Sequence, residues 1–225
     1  MKKLNYYGPL FLQKVGYLVF LFLYKVFLNI EIKGKENLKD LKGPIIIAPN
    51  HTSELDVTAM PLLFPFFSSL YPIYFVANSR AKFMGFGWRK YVYGEAFFNM
   101  LGGYSTNSGH RDYVVSLEDH IKLLSNKHTI CIFPEGRRTL DGNLGPARGG
   151  MGYMAFTSRA TVVPVAIDTF FNISPWDLFM RKRKVVITVL KPVTTEEIFQ
   201  TNNPEVVDFQ HASEMILERI SSVLQ

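Results

Sequence analysis

Short apolar segments alternate along the chain with amphipathic ones, and this alternation predicts an α/β fold. The short segments are rich in β-branched and aromatic residues and are bounded by Gly, Pro or charged residues, as buried strands are. The predicted strands are residues 31–34, 45–48, 73–77, 101–104, 129–133, 161–167 and 185–190, and the predicted helices include 113–124, 151–159 and 204–224. Because strands and helices alternate, we expect a mainly parallel central sheet covered by helices on both faces.

The first thirty residues differ from the rest because residues 10–30 are almost continuously apolar. As a helix they would be about 32 Å long, enough to cross a hydrocarbon core of about 30 Å. Lys14 and Lys25 interrupt this run, and on a helix they lie within about 20° of each other. We therefore predict a membrane-associating helical element at residues 1–30 that lies in the interface, with a spanning helix as the alternative. Residues 31–225 are predicted to form the folded domain.

Residues 61–75 form a second apolar segment. Its three prolines do not suit a long regular helix, so a helix that starts near Ser53 should end as it reaches Pro61. The segment either adds to a membrane-facing surface or belongs to the core, and the sequence leaves both open.

Composition favours lipid as a partner. Hydrophobic residues make up 48% of the chain and aromatic residues 14%, which indicates contact with a bilayer. The net charge of +6 suits either anionic lipid headgroups or nucleic acid. A nucleic-acid surface needs basic and aromatic residues interleaved, whereas the aromatic residues here concentrate in the N-terminal third, so we expect no nucleic-acid partner.

The motifs that the sequence lacks exclude several classes of site. Cys131 is the single cysteine, so there is no disulfide framework and no thiolate metal site, and no H-E-x-x-H pair occurs. Neither a G-x-S-x-G elbow nor a Walker loop is present. Residues 150–155 match G-x-G-x-x-A, but no strand directly precedes them, so we interpret them as helix-packing residues. We therefore expect neither a bound metal nor a cofactor.

A histidine and an aspartate frame the strongest candidate for chemistry. The predicted strand 45–48 ends at Pro49, and a helix start follows in which Ser53 is the N-cap and Asp56 occupies the capping-box position. His51 then lies in the loop, where the Asp56 carboxylate can reach one ring nitrogen and leave the other free to accept a proton. The pair is a candidate base for activating a hydroxyl. The alternative is a solvated histidine and an aspartate that only stabilises the helix N-terminus.

A second polar segment follows the predicted strand 129–133. Ligands bind at the carboxyl ends of strands in α/β sheets, and residues 135–139 are in that place. Gly136 permits close approach of the backbone to a ligand. Arg137 and Arg138 suit a phosphate or a carboxylate.

Taken together, these segments resemble the glycerolipid and lysophospholipid acyltransferase family typified by 1-acylglycerol-3-phosphate acyltransferase. Residues 50–56 are similar to its N-H-x-S-x-x-D block, and residues 133–139 resemble its F-P-E-G-x-R block. Residues 163–167 resemble its V-P-V-x-I block, and Arg148 stands where the family has a basic residue before glycine. The blocks occur in the family's order and span roughly residues 45 to 190.

The resemblance implies an O-acyltransferase that moves a fatty acyl group from acyl-CoA or acyl carrier protein to a lysophospholipid hydroxyl. The acceptor it implies first is 1-acylglycerol-3-phosphate, giving phosphatidate in phospholipid biosynthesis, at the cytoplasmic face of the cell membrane. His51 and Asp56 are the implied catalytic residues, with the thioester as co-substrate and no metal. The implied substrate-binding residues are Asn50, Ser53, Arg111, Glu135, Gly136, Arg137 and Arg148.

The sequence departs from the family in the region that binds the acceptor. Many members have an Ile-Asp-Arg or Val-Asp-Arg triplet, but Ser108 stands here in place of the arginine, and Arg111 follows three residues later. Asn78 also falls where many members carry a lysine. Either Arg111 acts from a shifted position, or the acceptor is another lysolipid or an amino-acid lipid. A catalytically inactive lipid-binding protein is the alternative of a different class, and the presence of both His51 and Asp56 argues against it.

Overall fold

A mixed sheet forms the centre of the molecule. The computed structural model describes residues 6–77, 95–106 (the first three as backbone alone), 112–168 and 184–224, and also residues 171, 172, 174, 176, 177 and 180. Within them the sheet has seven strands in the order β1-β7-β6-β2-β5-β3-β4. The strands are β1 (Asn29–Lys33), β2 (Ile45–Pro49), β3 (Ile73–Ala77), β4 (Gly103–Ser105), β5 (Thr129–Cys131), β6 (Thr161–Asp168) and β7 (Lys184–Val189).

Helices lie on both faces of this sheet. They are α1 (Tyr7–Phe27), α2 (Leu55–Ala59), α3 (Glu95–Met100), α4 (Tyr113–Ser116), α5 (Glu118–Ser125), α6 (Gly150–Ser158), α7 (Thr195–Ile198) and α8 (Val206–Ser221). Neighbouring strands are parallel except β6 and β7, which pair antiparallel. The predicted α/β class and mainly parallel sheet are therefore confirmed.

Strand β2 runs through the centre of the core. It pairs in parallel with β5 on one side and β6 on the other. Ile45 and Ile47 pack on one face with residues of α1 and α2, while Ile46 and Ala48 pack on the other with α5, α6 and α8. All four side chains are 0% exposed. Since ligands bind at the carboxyl ends of parallel strands, the turn that follows β2 occupies the central position of that sheet edge.

Helix α1 packs against the sheet along its length. The side chain of Gln13, 5% exposed, donates from Nε2 to the carbonyls of Ile73 at 2.6 Å and Leu101 at 3.0 Å. Its Oε1 accepts from the Ile73 N–H at 2.9 Å. Tyr24 and Leu28, near the other end, are 3% and 2% exposed within the core. The predicted division after residue 30 falls inside β1, and α1 is joined to the domain by these buried contacts.

The apolar segment at 61–75 belongs mostly to the core. Leu62 and Tyr71 are buried, and Tyr71 is joined to the backbone of Pro61 by its hydroxyl. Among the large hydrophobic residues of the segment Phe67 is exposed, at 92%. Of the two roles left open by the sequence, the core role applies to most of the segment.

Two predicted helices have different bounds in the structure. The helix predicted from Ser53 begins at Leu55 and passes at Met60 into a 3₁₀ helix that contains Pro61, a residue without an N–H to continue the α-helix. The helix predicted at 113–124 is divided into α4 and α5, because Leu117 adopts φ −114° and ψ 12°, outside the helical region.

We expect Gln13→Leu to destabilise the protein because it leaves one buried N–H and two buried carbonyls without their partner. Each such group costs about 1–3 kcal/mol, so the loss in unfolding free energy should reach at least about 2 kcal/mol. Urea denaturation followed by circular dichroism measures it. Gln210→Leu is the matched control on α8, where Gln210 is exposed and its side chain contacts Glu214, and should change stability by less than about 0.5 kcal/mol. Equal effects of the two substitutions would contradict the assigned role of Gln13.

Candidate active site

The turn after β2 brings His51 and Asp56 together. His51 Nδ1 lies 2.9 Å from Asp56 Oδ2. The imidazole retains 20% exposure, whereas the carboxylate is fully buried. Because Asp56 occupies Nδ1, the remaining nitrogen, Nε2, is the one able to take a proton from a substrate. The geometry is the one predicted from the sequence.

The Asp56 carboxylate is held by the turn that carries His51. Its Oδ2 accepts from the backbone N–H of Thr52 at 2.6 Å and of Ser53 at 2.8 Å, and its Oδ1 accepts from Thr52 Oγ1 at 3.2 Å. Ser53 Oγ in turn accepts from Leu55 N at 3.2 Å. The N-cap of α2 is Glu54, which makes no side-chain cap hydrogen bond, so the predicted N-cap at Ser53 is one residue early. The predicted contact of Ser53 with substrate stays a prediction. Thr52 is a site residue that the sequence did not single out, since its spacing to Asp56 has no motif of its own.

The position of His51 is fixed by the segment that follows β5. The His51 N–H donates to Glu135 Oε1 at 2.8 Å, and its carbonyl accepts from Thr139 N at 2.9 Å. The imidazole stacks on Phe133, with ring centroids 4.0 Å apart and planes inclined by 19°. Residues 50–56 and residues 133–139 are therefore joined at His51, by hydrogen bonds to its backbone and by stacking on its ring.

Glu135 holds two loops together. It is 2% exposed, and its second oxygen, Oε2, accepts from Gly145 N at 2.7 Å. Burial raises the pKa of Glu135, and the His51 and Gly145 N–H groups oppose that rise in part. Through these two contacts Glu135 organises the turn around His51. Since both oxygens bind backbone N–H groups out of solvent, the predicted contact of Glu135 with the acceptor is corrected to a positioning role.

Asn50 also has a positioning role rather than the predicted contact with substrate. Its side chain donates to the Ile167 carbonyl at 2.9 Å and accepts from the Ile167 N–H at 2.7 Å. Only 1% of Asn50 is exposed. The residue fastens the turn after β2 to the end of β6.

Gly136 closes a turn with its N–H, which donates to the Phe133 carbonyl at 2.9 Å. This amide is therefore already paired within the turn, and the predicted contact of Gly136 with substrate stays a prediction. Gly136 has φ +68°, and a Cβ there would lie 2.5 Å from Arg148 Cδ. The aliphatic part of the Arg148 side chain thus packs against Gly136 in the space that a Cβ would occupy. Gly136 and Arg148 therefore lie together in the same site.

The arginines at this edge of the sheet point outward. Arg137, Arg138 and Arg148 are all exposed. Arg138 Nη1 lies 3.2 Å from Glu54 Oε1, which links the segment after β5 to the residue before α2. Glu54 is a second residue that sequence reasoning missed, since an acidic side chain in a loop carries no signal of its partner. Arg111, and with it Ser108 and Asn78, lies outside the described residues.

Comparison with known proteins identifies the family. The family profile described as Acyltransferase matches residues 29–168, which is more than half of the chain. The chain belongs to this family. The matched region extends from β1 to the end of β6 and includes both the His51 turn and the segment after β5, so the predicted family is confirmed.

Curated relatives and a solved structure agree with that assignment. The chain is 27% identical over 177 residues to the 1-acyl-sn-glycerol-3-phosphate acyltransferase of Saccharomyces cerevisiae, covering 76% of this chain and 54% of the yeast protein. It is 25% identical over 199 residues to the human 1-acyl-sn-glycerol-3-phosphate acyltransferase beta, covering 88% and 67% respectively. The chain thus spans about half to two thirds of the length of these relatives.

The fold is similar to that of a crystal structure, the 1-acyl-sn-glycerophosphate (LPA) acyltransferase, PlsC, from Thermotoga maritima. The TM-score is 0.60 at 19% identity, with 95% of this chain and 79% of that chain covered. At this identity the similarity establishes the fold.

The raised pKa of Glu135 predicts a pH dependence of stability. The unfolded chain releases this proton near the ordinary value of 4.5, while the folded chain retains it to higher pH. Between the two values the folded state binds more protons, so the unfolding free energy falls as pH rises. The unfolding free energy of wild type minus that of Glu135→Gln should therefore decrease as pH rises through that window and become constant above it. Urea denaturation at a series of pH values measures this difference, and a constant difference across the series would contradict the assignment.

Proposed function

We propose that this protein is an O-acyltransferase that transfers a fatty acyl group from a thioester to the hydroxyl of a lysophospholipid. The observation that carries the proposal is the His51–Asp56 pair at 2.9 Å, at the carboxyl end of the central strand. Membership of the acyltransferase family supports the same reaction class.

The chemistry assigns a distinct task to each partner. His51 Nε2 takes the proton as the acceptor hydroxyl attacks the thioester carbonyl, and the resulting imidazolium is stabilised by Asp56 on the opposite side of the ring. Collapse of the tetrahedral intermediate breaks the carbon–sulfur bond, and the proton passes from His51 to the leaving thiolate. The acyl group moves directly between substrates, so the reaction as proposed uses no metal and no cofactor beyond the thioester.

The exposed arginines support an anionic substrate. Arg137 directly follows Gly136, and the stem of Arg148 lies against Gly136. Two exposed guanidinium groups in this segment suit the phosphates of CoA or of a lysophosphatidate headgroup. The acceptor proposed is 1-acylglycerol-3-phosphate, giving phosphatidate, and the names of the curated relatives support it. The donor is acyl-CoA or acyl carrier protein. Arg111 stays a predicted contact to the acceptor phosphate, and another lysolipid or an amino-acid lipid is the alternative acceptor.

The exposed face of α1 supports a membrane partner. Its large apolar residues recur every three or four positions at Tyr7, Phe11, Val15, Leu18, Phe22 and Val26, with exposures from 39% to 80%. Among the described helices α1 alone is long and apolar enough to cross a bilayer by length and composition. Because Gln13 and Tyr24 hold the other side of α1 in the core, we propose that α1 lies in the interface of one leaflet rather than spanning it. A soluble thioester donor, as proposed, supports a contact at the cytoplasmic face.

The proposed reaction is tested by acyl transfer from radiolabelled acyl-CoA to a panel of lysolipids. The panel sets lysophosphatidate beside lysolipids with zwitterionic and amino-acid headgroups. We expect radiolabelled phosphatidate to form and His51→Ala to lower kcat by about 100-fold or more, since a general base contributes about 10²–10⁴-fold. His211→Ala is the matched control, because His211 is 70% exposed on α8, and it should retain wild-type activity.

Other results of the panel have defined meanings. A different preferred acceptor would replace lysophosphatidate in the proposal while retaining the chemistry. Wild-type activity in His51→Ala would remove the histidine–aspartate mechanism. No turnover with acyl-CoA or with acylated acyl carrier protein would favour a lipid-binding protein instead.

The membrane contact is tested by paired valine substitutions. Val15→Glu with Val19→Glu places two charges on the exposed face of α1, and Val206→Glu with Val207→Glu does the same on α8, where these residues are 63% and 74% exposed. The α1 pair should weaken flotation with phosphatidylcholine–phosphatidylglycerol vesicles by at least about tenfold, because burial of each valine stabilises by about 1.5 kcal/mol or more. The α8 pair should bind as wild type does. Equal binding by both pairs would place the contact elsewhere, with Phe67 as the next residue to change.

A further inference from the structure

Helix α2, which carries Asp56, is too short to hold its own position. It has five residues, and helices of this length depend on tertiary contacts. The hydrogen bonds to the Asp56 side chain come from Thr52, Ser53 and His51, which belong to the same turn. They fix the carboxylate within that turn, which the segment after β5 holds through His51, but they involve none of the later residues of α2.

Tyr24 of α1 supplies a contact to α2 from outside the turn. Its hydroxyl lies 3.3 Å from the Leu55 carbonyl and is hydrogen-bonded to Thr58 Oγ1. Thr58 Oγ1 itself donates to the Leu55 carbonyl at 2.7 Å, so Tyr24 is the donor toward Thr58. The Leu55 carbonyl and the Asp56 N–H belong to one peptide group, and Tyr24 therefore holds the backbone directly beside the catalytic carboxylate.

The electrostatics agree with this placement. Tyr24 is 3% exposed, and burial, with a smaller contribution from the Asp56 charge, raises its pKa to about 12. The phenol is consequently protonated throughout the range in which an enzyme works and remains a donor to Thr58.

Tyr24 faces away from the exposed side of its helix. Tyr24 and Phe22 are two residues apart, and at about 100° per residue their side chains point about 160° away from each other. Phe22 is 64% exposed, on the face that we assign to lipid. One helix thus presents lipid contacts on one side and the Tyr24 hydroxyl to α2 on the other.

We propose that Tyr24 is a positioning residue for the reaction: through Thr58 and the Leu55 carbonyl it aligns the helix that bears Asp56 with the lipid-facing helix α1. This inference rests on the proposed acyltransferase function. Tyr24 acts on the reaction only through Asp56, and Asp56 through His51.

Tyr24→Phe removes the hydroxyl and retains the ring. We expect kcat for acyl transfer to lysophosphatidate to fall by about tenfold, the scale of one lost hydrogen bond, while KM for both substrates stays within about twofold. Tyr17→Phe is the matched control on the same helix, since the ring of Tyr17 packs edge-on against Phe66, and it should retain wild-type kcat. Flotation with vesicles should be unchanged in both variants, because neither changes the exposed face.

Substitutions at Thr58 separate positioning from folding. Thr58→Val removes the hydroxyl that joins Tyr24 to α2, and Thr58→Ser retains it. We expect Thr58→Val to reproduce the tenfold loss of kcat and Thr58→Ser to keep the wild-type kcat. A thermal melt of each variant gives the folded fraction, and kcat is expressed per folded molecule. A purely structural role would lower the melting temperature of Tyr24→Phe and Thr58→Val and leave kcat per folded molecule at the wild-type value, which would overturn the proposal.

The same measurements distinguish this inference from the function on which it rests. If wild type transfers acyl groups, His51→Ala does not, and Tyr24→Phe keeps wild-type kcat, then the positioning role alone is wrong. If wild type itself shows no transfer with either donor, the proposed function fails and this inference fails with it.

Discussion

The burial of the Asp56 carboxylate is the constraint on which the site depends. A carboxylate removed from water must find donors, and here the two backbone N–H groups of Thr52 and Ser53, with the imidazole of His51, supply them. These donors are available only when the chain turns sharply at the end of β2. The need to satisfy one charge therefore determines both the shape of the turn and the orientation of the histidine.

Contacts within the chain join the turn after β2 to the segment after β5 and to β6, and no substrate is needed for them. Glu135 binds the His51 N–H and the Gly145 N–H, and Asn50 binds the backbone of β6. These two polar residues resemble substrate ligands in the sequence because they belong to the same sequence blocks as the proposed catalytic pair and the exposed arginines. Their burial and their backbone contacts show that they hold the loops around His51 in place without a substrate.

The sequence was sufficient for much of the fold and for the pairing of His51 with Asp56. Strand positions followed from apolar runs such as residues 45–48, and the His51–Asp56 geometry followed from a local turn and helix start, which short-range spacing encodes. What it could not give depends on distant partners: Gln13 on residues 73 and 101, Tyr24 on Leu55, and the paired state of the Gly136 N–H. Helix α1 shows this dependence most clearly. Its apolar exposed face suits lipid, whereas the polar atoms of Gln13 and Tyr24 on its buried face need partners in the folded domain.

The Gln13 side chain has a consequence for how the protein opens. One amide completes the hydrogen bonding of β3 and of the loop before β4, so α1 separates from the sheet only by leaving backbone groups unpaired in both places. Helix α1 and β3 should accordingly form one cooperative unit of local unfolding, although they are sixty residues apart at this contact. The helix is thereby a part of the domain's folding unit, and an exchange of this helix between relatives has to carry its partner strand with it.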